Sequence, residues 1–199
     1  TLNITIEKVL NLRYGENPHQ KGALYAPLTD SGGVPRAQQL HGRELSFNNL
    51  MDANSAWQVV QEFTDPSVAI VKHTNPCGLA CHSNQTEAYT RAYSGDPISA
   101  FGGIVGFNST VTIDTARELS KIFYEVLIAP DYELEALALL KQKRNLRILK
   151  MSDAEGRESL LDMRSVNGGI LVQTIDSINE DRRSWDVATN RAPTDEELS

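Results

Sequence analysis

Apolar positions along the chain fall into short runs separated by polar, Gly-marked or Pro-marked breaks, and the runs alternate between two periods. In NLMDANSAWQVVQEF (49–63), Leu50, Ala53, Trp57 and Val60 recur at helical spacing and share one face. Pro66 closes that stretch, and SVAIVKH (67–73) follows as a near-continuous apolar run, the pattern of a buried strand. A second helix is predicted over 85–93, ending at Gly95, and GIVGFN (103–108) is a short strand bounded by glycines and Asn108. Thr112 to Phe123 is again helical, with Asp114 as cap and Ala116, Leu119, Ile122 and Phe123 turned inward. EVLIAP (125–130) is an apolar strand stopped by Pro130, and 131–143 is a third long helix with Leu134, Leu137 and Leu140 spaced for burial. LRILKM (146–151) and GGILVQ (168–173) end the series as strands. Such alternation predicts a layered α/β domain with a largely parallel or mixed sheet.

After GGILVQ the chain turns polar. The closing APTDEELS reads as a helix start, with Thr194 capping and Asp195, Glu196 and Glu197 suiting the positive end of the helix dipole. A helix that begins as the chain ends leads us to expect a fragment of a longer protein.

Composition narrows the picture further. A length of 199 residues with 40% hydrophobic and 23% charged content suits one soluble domain, or one with an appendage, and a sizeable core. The net charge of −7 argues against a general nucleic-acid surface, yet a few local cations can still hold a small anion. No apolar run approaches the roughly 20 residues that span a membrane. The opening TLNITIEKVL lacks the basic start and apolar stretch of a signal peptide. Two cysteines make no disulfide framework, so a cytoplasmic setting is expected.

The candidate chemistry sits in a few short stretches, each with two readings. RYGENPHQ (13–20) is either a surface turn or an Arg13–Tyr14 pair gripping a phosphate. FNN (47–49) is either a helix cap or a donor pair for a ligand amide. In SAFGG (99–103) the glycines allow a backbone to approach a ligand, or simply shape a turn. Glu125, at the mouth of a strand, either accepts hydrogen bonds from an amine or amide on a heterocycle or faces solvent. Lys72 and His73 end the strand of 67–73 and meet a TNPCG turn: a proton-handling pair, or a strand end meeting water. Pro76-Cys77-Gly78-Leu79-Ala80-Cys81 is one residue longer than the P-C-x-x-C half of a zinc deaminase site. None of the four histidines, His19, His41, His73 and His82, has a Glu two residues on, so the ligand-plus-base half is absent and no metal is expected.

Taken together, RYGENPHQ, LSFNNLMDANSAW, VKHTNPCG, SAFGGIVGFN, EVLIAPDYELEAL and VNGGILVQ occur in the order and spacing of one family. The chain resembles the transformylase domain of the bifunctional purine-synthesis family, AICAR formyltransferase joined to IMP cyclohydrolase. The resemblance covers nearly all of 1–199, and nothing matches the cyclohydrolase portion. It implies transfer of formyl from 10-formyltetrahydrofolate to the 5-amino group of AICAR. It further implies His73 as proton acceptor and Lys72 as transition-state stabiliser, with Arg13, Tyr14, Gly102 and Glu125 as nucleotide contacts. The implied fold is a three-layer α/β/α, cytidine-deaminase-like unit, the first of two, which accounts for the P-C-x-x-x-C echo without a metal. The implied assembly is a homodimer whose active sites draw on both partners. A chain limited to the first unit is then expected to be inactive alone. Two rivals stand beside this reading: a zinc-dependent nucleobase deaminase and a non-catalytic binding module.

The chemistry fits the residue types. The AICAR amine is a poor nucleophile because its lone pair is delocalised into the ring, so attack on a formyl amide needs a base, and His suits that role. An ammonium next to the tetrahedral oxyanion stabilises it. Consecutive residues on a regular strand point to opposite faces, so the strand has to end or twist at Lys72 for both side chains to serve one site.

Overall fold

The computed structural model describes residues 1–28, 32–152, 161–176 and 185–198. They fall into two compact units, Thr1–Gly156 and Arg157–Ser199.

The first unit is built on a six-stranded mixed sheet. It contains β3 (Gln38–His41), β4 (Ser67–Lys72), β5 (Asn75–Cys81), β6 (Ile104–Phe107), β7 (Val126–Ala129) and β8 (Arg147–Lys150), in the order β3-β8-β7-β6-β4-β5. The centre, β6-β7-β8, is parallel, and β4 runs antiparallel to both β6 and β5. Ahead of the sheet, β1 (Ile6–Leu12) and β2 (Gly22–Pro27) form a separate antiparallel hairpin. Period-two alternation sends the central strands' side chains into two cores. Val68, Ile70, Val105, Phe107, Leu127 and Ile148 pack on one face with Ala88, Tyr89 and Ala92 of α2 (Gln85–Gly95), Ala116 and Leu119 of α4 (Ile113–Ser120), and Ala136 and Leu140 of α5 (Leu134–Leu140). Val71, Ile104, Val126, Ile128 and Leu149 pack on the other with Leu50, Ala53 and Ala56 of α1 (Phe47–Val60). The result is helix, sheet, helix: three layers, as an α/β chain with buried strands requires. A short helix, α3 (Pro97–Ala100), precedes β6.

Helix starts differ from expectation where the caps decide them. Ser46 caps α1 in a capping box with Asn49, so the helix runs Phe47–Val60 rather than 49–63. Leu50, Ala53 and Val60 are buried, and Trp57 packs partly buried on the same core. In α4 the cap is Thr112, whose hydroxyl accepts from the Thr115 amide, and not Asp114, which pairs with Arg117 at 2.5 Å on the surface. That helix stops at Ser120, leaving Phe123 exposed instead of inward. The third predicted helix loses its first turn because Val111 bridges to Tyr132, and Val111 N–H donates to the Asp131 carbonyl, which holds 131–133 extended. Leu134 consequently stands 87% exposed at the helix start, and the buried face is Ala136 and Leu140.

Two further corrections concern strands. The expected TNPCG turn is only His73-Thr74, and the residues after it form β5, paired along β4. GGILVQ does not extend the main series. It contributes β10 (Gly169–Thr174), which pairs antiparallel with β9 (Leu161–Val166) in the second unit, with Ile170 and Leu171 exposed. The second unit also contains α6 (Asp195–Leu198), started as predicted by Thr194, whose hydroxyl accepts from the Glu197 amide while Glu197 accepts from the Thr194 amide. Among the described residues no helix is long and apolar enough to cross a membrane.

Candidate functional site

One edge of the sheet collects most of the expected site residues. Val71, Ile104, Val126 and Arg147 are register neighbours across β4, β6, β7 and β8. One step beyond that row lie Lys72, Gly103 and Glu125. Strands are spaced about 4.8 Å apart, which puts the backbones of Lys72 and Glu125 roughly 10 Å apart.

The Lys-His pair is held by hydrogen bonds from three directions. Lys72 donates from Nζ to the Phe101 carbonyl at 2.9 Å. His73 and Thr74 form the two-residue loop between β4 and β5, Lys72 pairing with Asn75 across it. Both loop residues have positive φ, 54° and 61°. That is the twist a tight hairpin wants, but Asn-Gly or Asp-Gly normally supplies it. Left-handed backbone costs a side-chain-bearing residue roughly 1–2 kcal/mol, and a β-branched one such as Thr74 is an outlier there. The conformation is stabilised by Asp52 of α1, whose Oδ1 accepts from the Thr74 amide at 2.7 Å, and by Asn75 and Thr74 side chains, which donate to the His73 carbonyl at 2.8 and 2.7 Å. The regular alternation of β4 therefore stops at Lys72, as the shared-site argument requires.

Gly102 sits beside the pair at φ 75°, its amide donating to the Phe123 carbonyl at 2.8 Å. A Cβ there would meet only the Phe123 ring at 3.7 Å, so the requirement for Gly is conformational. Phe101 and Phe123 flank it with ring centroids 5.4 Å apart, and both are exposed.

Glu125 lies at the opposite end of the edge, in a polar cluster. Its Oε2 accepts from Asn49 Nδ2 at 2.8 Å and faces Arg147 Nη1 at 3.7 Å. Asn49 also bears out the cap reading of FNN, its Oδ1 accepting from the Ser46 amide. The Arg147 side chain is 8% exposed and donates to the Glu44 carbonyl at 3.0 Å. Burial pushes the Arg147 pKa below the usual guanidinium value, Glu125 pulls it back up, and the charges of Arg13 and Arg43 press it down again. Arg13 and Tyr14 reach this cluster because β1 ends against the start of α1: the Arg13 amide donates to the Leu45 carbonyl, and the Phe47 amide to the Tyr14 carbonyl. Arg13 lies over the Tyr14 ring at 5.4 Å. Arg13, Arg43 and Glu44 line an open cleft of about 330 Å³. A cleft of about 480 Å³ at the start of α2, lined by His82, Asn84, Thr86, Glu87, Arg91 and Asp114, contains none of the expected site residues.

Three contributors escaped the sequence reading: Arg43, Asp52 and Arg147. Asp52 and Arg147 carried a signal, a charged residue inside an otherwise buried pattern (LMDANSA and LRILK).

Cys77 and Cys81 both lie on β5. Four residues of extended chain separate their backbones by about 13 Å, too far for one ion to bind both thiols. Among the described residues no group of three or more His, Cys, Asp and Glu is placed to hold a metal. Burial pushes the Cys77 thiol pKa up, and its sulfur contacts the Ile70 carbonyl at 3.4 Å.

Comparison with known proteins adds a family. A family model described as AICARFT/IMPCHase bienzyme matches residues 1–199. The chain is 51% identical over 192 residues to the bifunctional purine biosynthesis protein PurH of Thermoanaerobacter sp. (strain X514), covering 96% of this chain and 37% of that protein. It is 46% identical over 202 residues to the protein of the same name from Caldicellulosiruptor saccharolyticus, covering 99% of this chain and 39% of the relative. The match to PurH of Bacillus cereus (strain B4264) is 46% over 198 residues, again 99% of this chain and 39% of the relative. The chain thus spans well under half the length of these relatives.

Proposed function

The chain belongs to the AICARFT/IMPCHase bienzyme family, and from that premise we propose that residues 1–199 supply the nucleotide-binding and proton-transfer half of an AICAR formyltransferase acting in purine biosynthesis. The observation that carries this reading is convergence. Residues scattered from Arg13 to Glu125 in sequence meet along one sheet edge and the start of α1, with Arg43 and Arg147 adding positive charge inside an acidic chain.

In this reading the AICAR phosphate lies against the guanidinium groups of Arg13 and Arg43 at the open cleft, with Tyr14 donating from its hydroxyl. Glu125 accepts from the heterocycle's amine or carboxamide N–H groups, held in place by Asn49 and Arg147. The backbone at Gly102 lets the ring approach closely. His73 removes the proton from the 5-amino nitrogen as that nitrogen bonds to the formyl carbon of 10-formyltetrahydrofolate. Lys72 has three N–H donors, one of them given to Phe101, and the others serve the tetrahedral oxyanion. The C–N10 bond then breaks, the carbonyl re-forms, and the proton passes to the departing folate nitrogen. The pterin wall and further phosphate ligands are assigned to segments of the longer relatives that this chain does not match. The three-layer unit is read as cytidine-deaminase-like, one of two, within a homodimer.

The test uses residues 1–199 alone and exchanged into the Thermoanaerobacter relative. Alone, the chain should bind AICAR in calorimetry but release no tetrahydrofolate, because positioning of the two reactants, which can supply roughly 7–11 kcal/mol, is missing. In the chimaera, His73→Ala should lower kcat about 10²-fold with a smaller change in AICAR KM. Near-normal turnover of that variant would remove His73 as the base.

A further inference from the structure

Asp52 is a carboxylate where the helical pattern calls for a small or apolar residue. It lies on α1 next to Ala53, which is fully buried, and is itself 8% exposed. Nothing about α1 needs it, because the helix is capped by Ser46 and Asn49 and docked by Leu50, Ala53 and Ala56. Its Oδ1 instead crosses to another element and accepts from the Thr74 amide at 2.7 Å. Burying an anion for one backbone amide is an uneconomical way to close a hairpin that Asn-Gly would close unaided. The loop carries His-Thr, both residues at positive φ. Observed backbone strain of this kind, held by a dedicated partner, points to a constraint on the residue inside the loop.

We propose that Asp52 is a positioning residue for His73. Its charge-assisted hydrogen bond to Thr74 locks the left-handed His73-Thr74 loop and fixes the direction in which the imidazole leaves β4. The Asn75 and Thr74 side chains hold the same loop through the His73 carbonyl. Asp52 is thus the contact that ties the loop to α1, the helix whose first turn also places Asn49 on Glu125. The base and the carboxylate of the nucleotide end are referenced to one rigid element. The inference rests on the reading of His73 as the base.

The experiment is a rescue. In the chimaera, Asp52→Ala should lower kcat about tenfold or more, since misplacement of a catalytic group by an ångström costs up to about 10²-fold. AICAR KM should move less than about threefold, because the phosphate cluster is untouched. Asp52→Asn keeps an acceptor oxygen and should recover most of the loss. Adding Thr74→Gly to Asp52→Ala should restore kcat toward that of Thr74→Gly alone, because glycine adopts the loop without help. A purely structural role for Asp52 predicts instead that Thr74→Gly rescues nothing, and that result overturns the proposal, as does an Asp52→Ala variant with unchanged kcat. In residues 1–199 alone, the Thr74 amide should shift upfield and exchange faster in Asp52→Ala by NMR; an unmoved amide also overturns it. Should the unmutated chimaera transfer no formyl group, the formyltransferase reading falls, and the Thr74 amide alone decides whether Asp52 holds the loop.

Discussion

Replacing Asn49 by alanine removes two separable interactions, and the structure sets the size of each. The first is half of the capping box: Asn49 Oδ1 no longer accepts from the Ser46 amide, at a residue only 4% exposed. Losing a capping interaction costs about 0.5–2 kcal/mol. The second is the 2.8 Å hydrogen bond to Glu125. A bond to a charged group is worth about 1.5–3 kcal/mol in the interior, but the Glu125 side chain is 42% exposed, and water takes over much of that value. Together the loss should be about 2 kcal/mol, or about 4–8 °C in Tm for a domain of this size. Urea denaturation of Asn49→Ala, Glu125→Ala and the double variant isolates the pair, with an expected coupling of about 1 kcal/mol. Asn49→Asp separates the roles further. It keeps the acceptor for Ser46 while opposing a second carboxylate to Glu125, so it should weaken AICAR binding more than it lowers stability. Strict additivity, with a coupling below about 0.3 kcal/mol, would refute the Asn49–Glu125 link.

Two other outcomes follow from packing and charge. Gly78→Ala should destabilise the first unit by about 3 kcal/mol in urea, because the new Cβ would stand 1.9 Å from the Ala92 carbonyl oxygen and the backbone of α2 would have to withdraw. The acid limb of stability should depend on Asp96 and Asp131. The Ser99 hydroxyl and amide hold the first below the usual carboxylate pKa, and the Lys150 ammonium at 2.7 Å with the Tyr132 amide does so for the second. With folded values below the unfolded value of about 3.9, their contribution is complete above that pH and disappears as pH falls through the folded values. Asp96→Asn and Asp131→Asn should each flatten the fall in stability below about pH 4 in pH-dependent urea melts, and an unchanged slope would exclude both groups.

Local pattern carried the chain a long way. The apolar runs at Val68–Val71, Ile104–Phe107 and Val126–Ala129 are strands because both their faces are buried, and a doubly buried strand has no polar alternation to conceal it. Leu50, Ala53 and Val60 declared α1 by spacing alone, and motif order declared the family. What local pattern could not decide was pairing. β5 (NPCGLAC) reads as a turn because Asn, Pro and Gly mark turns, yet as the sheet's outer strand it accommodates both Pro76 and Gly78, and the latter lets α2 pass close by. β1 is mostly exposed, β2 is largely half-buried, and among the described residues the two strands pair only with each other, so burial left little mark on them. The candidate site divides in the same way. Lys72, His73, Gly102 and Glu125 could be named from residue type and motif, whereas their shared edge depends on register between strands far apart in sequence. The parts played by Asp52 and Arg147 arise only from tertiary contact, since a buried charge acquires its meaning from the partner that the fold brings to it, and for both, as for the bond from Asn49 to Glu125, that partner is distant in sequence.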